Sequence, residues 1–194
     1  MKNIDLKVYR REGKGKSVAK KLRKEGKLPC VIYGNGKIIH GYVYERELKD
    51  IIYTPEVFLI NIDLEGEKLQ AILKETQFHP VTERILHIDF MEVSENKPVK
   101  VYMPVKLVGF SKGVQAGGQL YQLMRYIKVK GLVKDIPEHL EIDITDLGLG
   151  KSLKISDLHF ENLEILEPAS AVVALVKLTR AAISRMQEEA KQKK

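Results

Sequence analysis

Between Arg10 and Lys27, eighteen consecutive residues carry nine basic side chains and two acidic ones. The bases are Arg10, Arg11, Lys14, Lys16, Lys20, Lys21, Arg23, Lys24 and Lys27, set against Glu12 and Glu25. With only Val18, Ala19 and Leu22 to bury, this stretch is either a solvated surface or the contact face for a polyanion. About sixty residues later, by count along the chain, His87-Ile88-Asp89 places an imidazole and a carboxylate two apart, on one face of a strand. As the start of a metal site the pair has His79 nearby but lacks a third strong ligand at suitable spacing. As an acid–base pair it has no identifiable Ser or Cys nucleophile to serve. Two readings remain: polar readers of RNA, with Asp89 accepting from a cytosine amine, or an ordinary exposed strand pair. Tyr33, beside the Gly34-Asn35-Gly36 turn, is either a group that stacks on a base or bonds a phosphate, or a barrel-rim aromatic.

Other motifs carry less. Gly13-Lys14-Gly15-Lys16-Ser17 ends like a phosphate-binding loop, but the full pattern needs a glycine where Arg10 stands. The glycine-rich Gly113–Gly118 segment lacks the strand–loop–helix setting of a dinucleotide site. No cofactor and no metal are therefore expected. Cys30, within Pro29-Cys30-Val31-Ile32, reads as a small buried residue, and a lone cysteine leaves no intrachain disulfide.

Charge is segregated along the 194 residues. Residues 1–40 hold twelve bases and three acids, residues 41–92 five and eleven, and residues 93–178 eleven and ten. The tail from Thr179 adds five and two. A positive field confined to the first fifth of the chain is what a docking surface for an acidic partner needs. The composition, 44% hydrophobic and 30% charged, is that of a globular protein. There is no apolar run long enough to span a bilayer and no visible signal peptide, so a cytoplasmic location and no membrane partner are expected.

The elements that must position these groups are mostly short strands. Residues 3–9 alternate as a half-buried strand. Ser17 is suited to N-cap a helix over Val18–Glu25 that ends at Gly26, with Val18 and Leu22 inward and the lysines outward. Leu28–Gly34 and Lys37–Tyr44 form a hairpin, Glu45–Ile52 a short helix, and Glu56–Leu64 and Glu67–Leu73 a second hairpin. Glu75–Pro80, containing Gln77, reads as a polar connection, and Arg84–Val93 as a last strand. The pattern predicts a small β-barrel with one or two helices. A polar linker, Ser94–Pro98, separates this domain, residues 1–93, from a second mostly-β domain over residues 99–178. In the second domain Ser111–Gln119 reads as a loop, and Leu120–Leu132, Leu140–Ile144 and Ser170–Leu178 as strands. Residues 179–194 form a helical or frayed basic tail.

Several motifs resemble one family. Arg11-Glu12-Gly13, Leu22-Arg23, Gly26-Lys27-Leu28-Pro29, Val31-Ile32-Tyr33-Gly34, Gln77 with His79-Pro80, and His87-Ile88-Asp89-Phe90 occur in the order found in the bacterial large-subunit ribosomal protein twenty-five. Val105–Gly109, Gly113-Val114, Gly117-Gly118-Gln119-Leu120 and Ile136-Pro137-Glu138 are similar to the extra domain of its long form, the general stress protein CTC type. The resemblance implies a six-stranded β-barrel docked on 5S rRNA around loop E, within the large ribosomal subunit, and no catalytic activity. It also implies RNA contacts at Arg11 (Arg10 being a competing alignment), Arg23, Tyr33, His87 and Asp89. Gln77 joins the groups expected to read RNA shape and edges. Lys20, Lys21 and Lys24 are expected on phosphates; Lys14 and Lys16, in a loop (Gly13–Lys16) whose length varies between relatives, and Ser17 are further expected RNA contacts. The nearly balanced charge of residues 93–178 argues against a second strong RNA surface, and a ribosomal protein contact is the expectation left for residues 99–178. The rival readings are a stress-induced RNA-binding or protein-interaction module acting off the ribosome, and a nucleotide-dependent enzyme using Gly13–Ser17.

Overall fold

The computed structural model describes residues 1–94, 96–180 and 182. These form two compact units: Met1–Val101 with Gly131–Glu138, and Tyr102–Lys130 with the residues from His139 onward.

The first unit is a closed six-stranded barrel. Its strands are β1 (Lys2–Arg10), β2 (Lys27–Gly34), β3 (Lys37–Tyr44), β4 (Phe58–Leu64), β5 (Glu67–Phe78) and β6 (Ile85–Glu92), in the order β1-β3-β2-β6-β5-β4. Local hairpins supply three seams: β2 with β3, β4 with β5, and β5 with β6. Closure needs three pairings between strands that do not follow one another in sequence: β1 with β3, antiparallel, and β1 with β4 and β2 with β6, both parallel. The β2–β3 hairpin turns through Asn35 (φ 47) and Gly36 (φ 78), the left-handed pair that a two-residue turn requires. Strand alternation sends Leu6, Val8, Leu28, Cys30, Ile32, Val43, Ile60, Ile62, Leu64, Ile88 and Phe90 inward. Each large side chain buried in this way contributes about 1.5–3 kcal/mol relative to leaving it in water. Leu48 and Ile51 join this core from a 3-10 turn, Glu45–Leu48, and the single α-turn that follows it, Lys49–Ile52. At Gly41 β1 crosses so closely that a Cβ would lie 2.8 Å from both the Tyr9 carbonyl oxygen and Val8 Cγ1. Residues Gly131–Glu138 belong with the barrel, where the Met1 amino group donates to the Ile136 carbonyl at 3.2 Å.

Two local expectations are corrected here. Helix α1 covers Lys16–Lys24, and its N-cap is Gly15, not Ser17, which lies in the first turn. Gly15 (φ 104) makes the sharp entry without any side-chain cap, and Gly26 (φ 71) ends the helix as anticipated. Strand β5 runs through Gln77 to Phe78 and is not interrupted by a polar connection from Glu75. Irregular register at Leu73/Glu75 and Gln77/Phe78 lets the polar residues continue the pairing with β6.

The second unit is also mostly β. Strand β7 (Val99–Val108) enters it at Tyr102, followed by α2 (Lys112–Gln115), β8 (Gln119–Gln122), β9 (Tyr126–Gly131), β10 (Leu140–Asp143), β11 (Ser152–Lys154), β12 (Glu164–Ile165) and β13 (Val172–Lys177). They make one sheet of order β10-β7-β9-β12 and one of order β11-β13-β8. The span expected as one strand over Leu120–Leu132 is divided between these sheets, β8 in one and β9 in the other. The glycine-rich segment expected as a loop holds a helical turn, capped by the Ser111 hydroxyl, which accepts from Gly113 N–H at 3.2 Å and donates to the Leu147 carbonyl. The tail expected over 179–194 lies outside the described residues except for 179, 180 and 182.

Candidate nucleic-acid interface

The outer face of the barrel is built from the residues that alternation turns away from the core. On β6 these are His87 and Asp89, flanking buried Ile88. On β2 they are Val31 and Tyr33, and on β3 Ile38, His40, Tyr42 and Tyr44. Register then assembles rows across strands. Glu75 pairs with Asp89, Asp89 with Val31, and Val31 with His40, so four strands contribute to one line. Gln77 is opposite His87, and Tyr33 lies between Met91 and Ile38. Ile38 is 68% exposed beside Tyr33, an apolar edge to an otherwise polar face.

His87 Nδ1 is 2.7 Å from Asp89 Oδ1. The nitrogen nonetheless has no aligned hydrogen bond and is shut off from water. The contact is therefore one of proximity, ionic only when the imidazole carries a proton, and it leaves hydrogen-bonding capacity on both groups. Arg11 Nε and His40 Nδ1 are likewise buried and without a hydrogen-bond partner, and among the described residues neither has a carboxylate beside it as His87 does. The Arg11 backbone N–H donates to the His40 carbonyl at 3.1 Å, holding the two residues together. Buried polar atoms without partners are few in native proteins, and a cluster of them on one face calls for a reason. Burial, with smaller contributions from Asp89 and Glu75, pushes the Tyr33 phenol above its ordinary value. Burial first, then repulsion from Lys14, Arg11 and, when it carries a proton, His87, pull the His40 imidazole below its own.

Helix α1 supplies the remaining charge. Val18, Ala19 and Leu22 are its half-buried face, while Lys16, Ser17, Lys20, Lys21 and Lys24 line a shallow open groove. Arg23 fastens the helix to the strand that carries His87: its Nε donates to the Leu86 carbonyl at 3.1 Å, using one of five guanidinium donors.

The structure thus brings together Arg11, Lys14, Tyr33, His87, Asp89 and Gln77, with Arg23 and the helix lysines alongside. It sets Arg10 apart. Arg10 Nη2 is 3.0 Å from Glu67 Oε2, and its backbone N–H donates to Glu65 at 3.2 Å, so it faces the β4–β5 turn. His79 is occupied locally, its Nδ1 accepting from the backbone N–H groups of Val81 and Thr82 at 3.2 Å. Burial drives the Cys30 thiol up to about 12, which suits a core residue and not a nucleophile. Sequence reasoning passes over His40, although its signal was present: an ionisable residue at an outward position of a strand whose other outward positions are apolar or aromatic.

Comparison with known proteins matches both halves of the chain. Residues 6–90 match the Ribosomal L25p family and residues 98–180 the C-terminal domain of ribosomal protein TL5. Relatives named large ribosomal subunit protein bL25 include that of Azobacteroides pseudotrichonymphae, 47% identical over 97% of this chain and 100% of the relative. Those of Porphyromonas gingivalis and Bacteroides thetaiotaomicron are 48% and 44% identical, each over 94% of this chain and over 96% and 95% of their own length. The chain belongs to the bacterial bL25 family of large-subunit ribosomal proteins, in its long, two-part form, a structural family without enzymatic activity.

Proposed function

We propose that this protein is held in the large ribosomal subunit, in the cytoplasm, by binding 5S rRNA around loop E through the outer face of its barrel. The observation that supports this reading most is the meeting of a lysine-lined helix with a patch that holds two buried, unpartnered nitrogens, Arg11 Nε and His40 Nδ1, and the His87–Asp89 pair. Lysines and arginines supply affinity by displacing counterions from phosphates, which carries little sequence information. His87, Asp89, Tyr33 and Gln77 supply discrimination, because A-form RNA offers a wide, shallow minor groove that a strand surface can enter. Asp89 strengthens the argument: a carboxylate is repelled by phosphate, so its place beside the basic helix suits a base or ribose donor. The stretch 93–178, whose charge is nearly balanced, then takes a protein neighbour within the particle.

The test is titration of 5S rRNA with the full chain over a range of salt, against an unrelated hairpin of equal length. Salt-dependent binding with preference for 5S rRNA is expected. His87→Ala or Asp89→Ala is expected to lose the preference while keeping most of the salt dependence. Equal affinity for both RNAs overturns the reading. Loss of the protein from large subunits in a high-salt wash, with no affinity for isolated 5S rRNA, supports action off the ribosome instead.

A further inference from the structure

We propose that His40 is a further RNA contact and that it takes up a proton when RNA binds, so that the interaction strengthens as pH falls. This inference rests on the RNA-binding reading and deepens it.

His40 stands on the outer face of β3, at the end of the row formed with Glu75, Asp89 and Val31. Neighbouring strands are spaced by about 4.8 Å, so the Asp89 carboxylate, two strands away, begins at a backbone separation of about 10 Å. It already lies against His87. The charges felt at His40 come from Lys14 and Arg11, in the connection after β1, and from His87 on β6, and all three oppose a proton on the imidazole. Along β3 its neighbours on the same face are Ile38 and Tyr42, and across on β2 it meets Val31, none of which offers a carboxylate. Glu75 acts on Tyr33 and pairs with Asp89, at the far end of the row.

In the free protein burial first, and then these charges, disfavour a proton on His40, while its Nδ1 lacks both water and a hydrogen-bond partner. A neutral imidazole has one donor and one acceptor, and protonation makes both nitrogens donors. An RNA phosphate entering this cluster accepts from Arg11 and His40 and also reverses the local field, turning the repulsion that favours neutral imidazole into attraction that favours imidazolium. The bound state then holds more protons than the free state through the range in which histidine titrates. By linkage, affinity rises as pH falls through that range, with a limit of about tenfold per pH unit for one proton.

The experiment measures the affinity of the full chain for 5S rRNA from pH 6 to 8.5 at fixed ionic strength, for the unmodified protein, His40→Asn and His87→Asn. The unmodified protein is expected to weaken about three- to tenfold as pH rises, within the one-proton limit. His40→Asn is expected to give a flat profile near the high-pH affinity of the unmodified protein, and His87→Asn to keep a slope. In parallel, the His40 ring proton resonance is followed by NMR with and without RNA, and its midpoint is expected to move up in the complex. An undiminished slope in His40→Asn, or a His40 midpoint unmoved by RNA, overturns the proposal. Binding of 5S rRNA with no pH dependence removes the proton linkage alone. No binding at any pH removes the RNA-binding reading, and this inference with it.

Discussion

Arg10 and Arg11 are adjacent in sequence, yet the barrel gives them different work, and substituting each in turn tests the site directly. Arg11 has a buried Nε with no partner, and its link to His40 is through the backbone, which alanine preserves. Arg11→Ala therefore removes an unsatisfied donor from the free protein. Relief of that burial is worth about 1–3 kcal/mol, set against lost packing of the aliphatic stem. The two nearly cancel, and a change in unfolding free energy within about 1 kcal/mol is expected. On RNA the same change removes a charge-assisted hydrogen bond of about 1.5–3 kcal/mol, equivalent to roughly a 10- to 150-fold loss of affinity. Arg10→Ala breaks an ion pair with Glu67 in which the two side chains are 55% and 45% exposed. Such a pair is worth about 0–1 kcal/mol of stability, and RNA affinity is expected to fall only by the small effect of one distant charge. Fluorescence anisotropy with labelled 5S rRNA, paired with urea denaturation of the free proteins at the same ionic strength, measures both quantities. Equal loss of affinity in the two variants, or a large loss of stability in Arg11→Ala with affinity intact, refutes the assignment.

Other outcomes follow from the same geometry. Lys20→Gln combined with Lys21→Gln is expected to shallow the logarithmic salt dependence of RNA binding by up to about 1.8, at about 0.9 per phosphate contact. The preference for 5S rRNA over an unrelated hairpin, measured in the same titration, is expected to hold. Gly41→Ala drives a methyl group into the Tyr9 carbonyl oxygen and Val8 Cγ1, each 2.8 Å away, and opens the β1–β3 seam. Overpacking of this kind costs about 1–3 kcal/mol, which a lowered urea midpoint reports. With its thiol pushed to about 12 by burial, Cys30 is expected to resist alkylation at pH 8 in the folded protein and to react on unfolding. Rapid labelling without denaturant contradicts the barrel core.

Much of this protein was legible along the chain. The period-two alternation of Ile4–Val8, Leu28–Ile32, Ile60–Leu64 and Ile88–Phe90 marks the strands, and the basic run between Arg10 and Lys27 marks the surface. Both signals are local: a side chain's face on a strand depends only on its position in the alternation, and Val18 with Leu22 orients the helix for the same reason. Where irregular register intervenes, as in β5 near Lys74 and Gln77, alternation fails and the period-two pattern stops before the strand does. The capping residue was missed because Ser17 suits that position by type, while Gly15 occupies it by backbone conformation. In the second unit the hydrophobic run of Leu120–Leu132 does not reveal that its two parts serve different sheets.

The amino-acid order alone therefore determined the strand faces, the confinement of positive charge to the first fifth, and the pairing of His87 with Asp89 on one side of a strand. Only the tertiary structure decided that Arg11, His40 and His87 share a patch, that Arg10 turns away toward Glu67, and that Arg23 grips the strand bearing His87. The physical reason is that these neighbours are joined by register between strands distant in sequence. The seams β1–β3, β1–β4 and β2–β6 are set when the barrel closes around its core, and nothing in the local pattern of any of these strands names its partner.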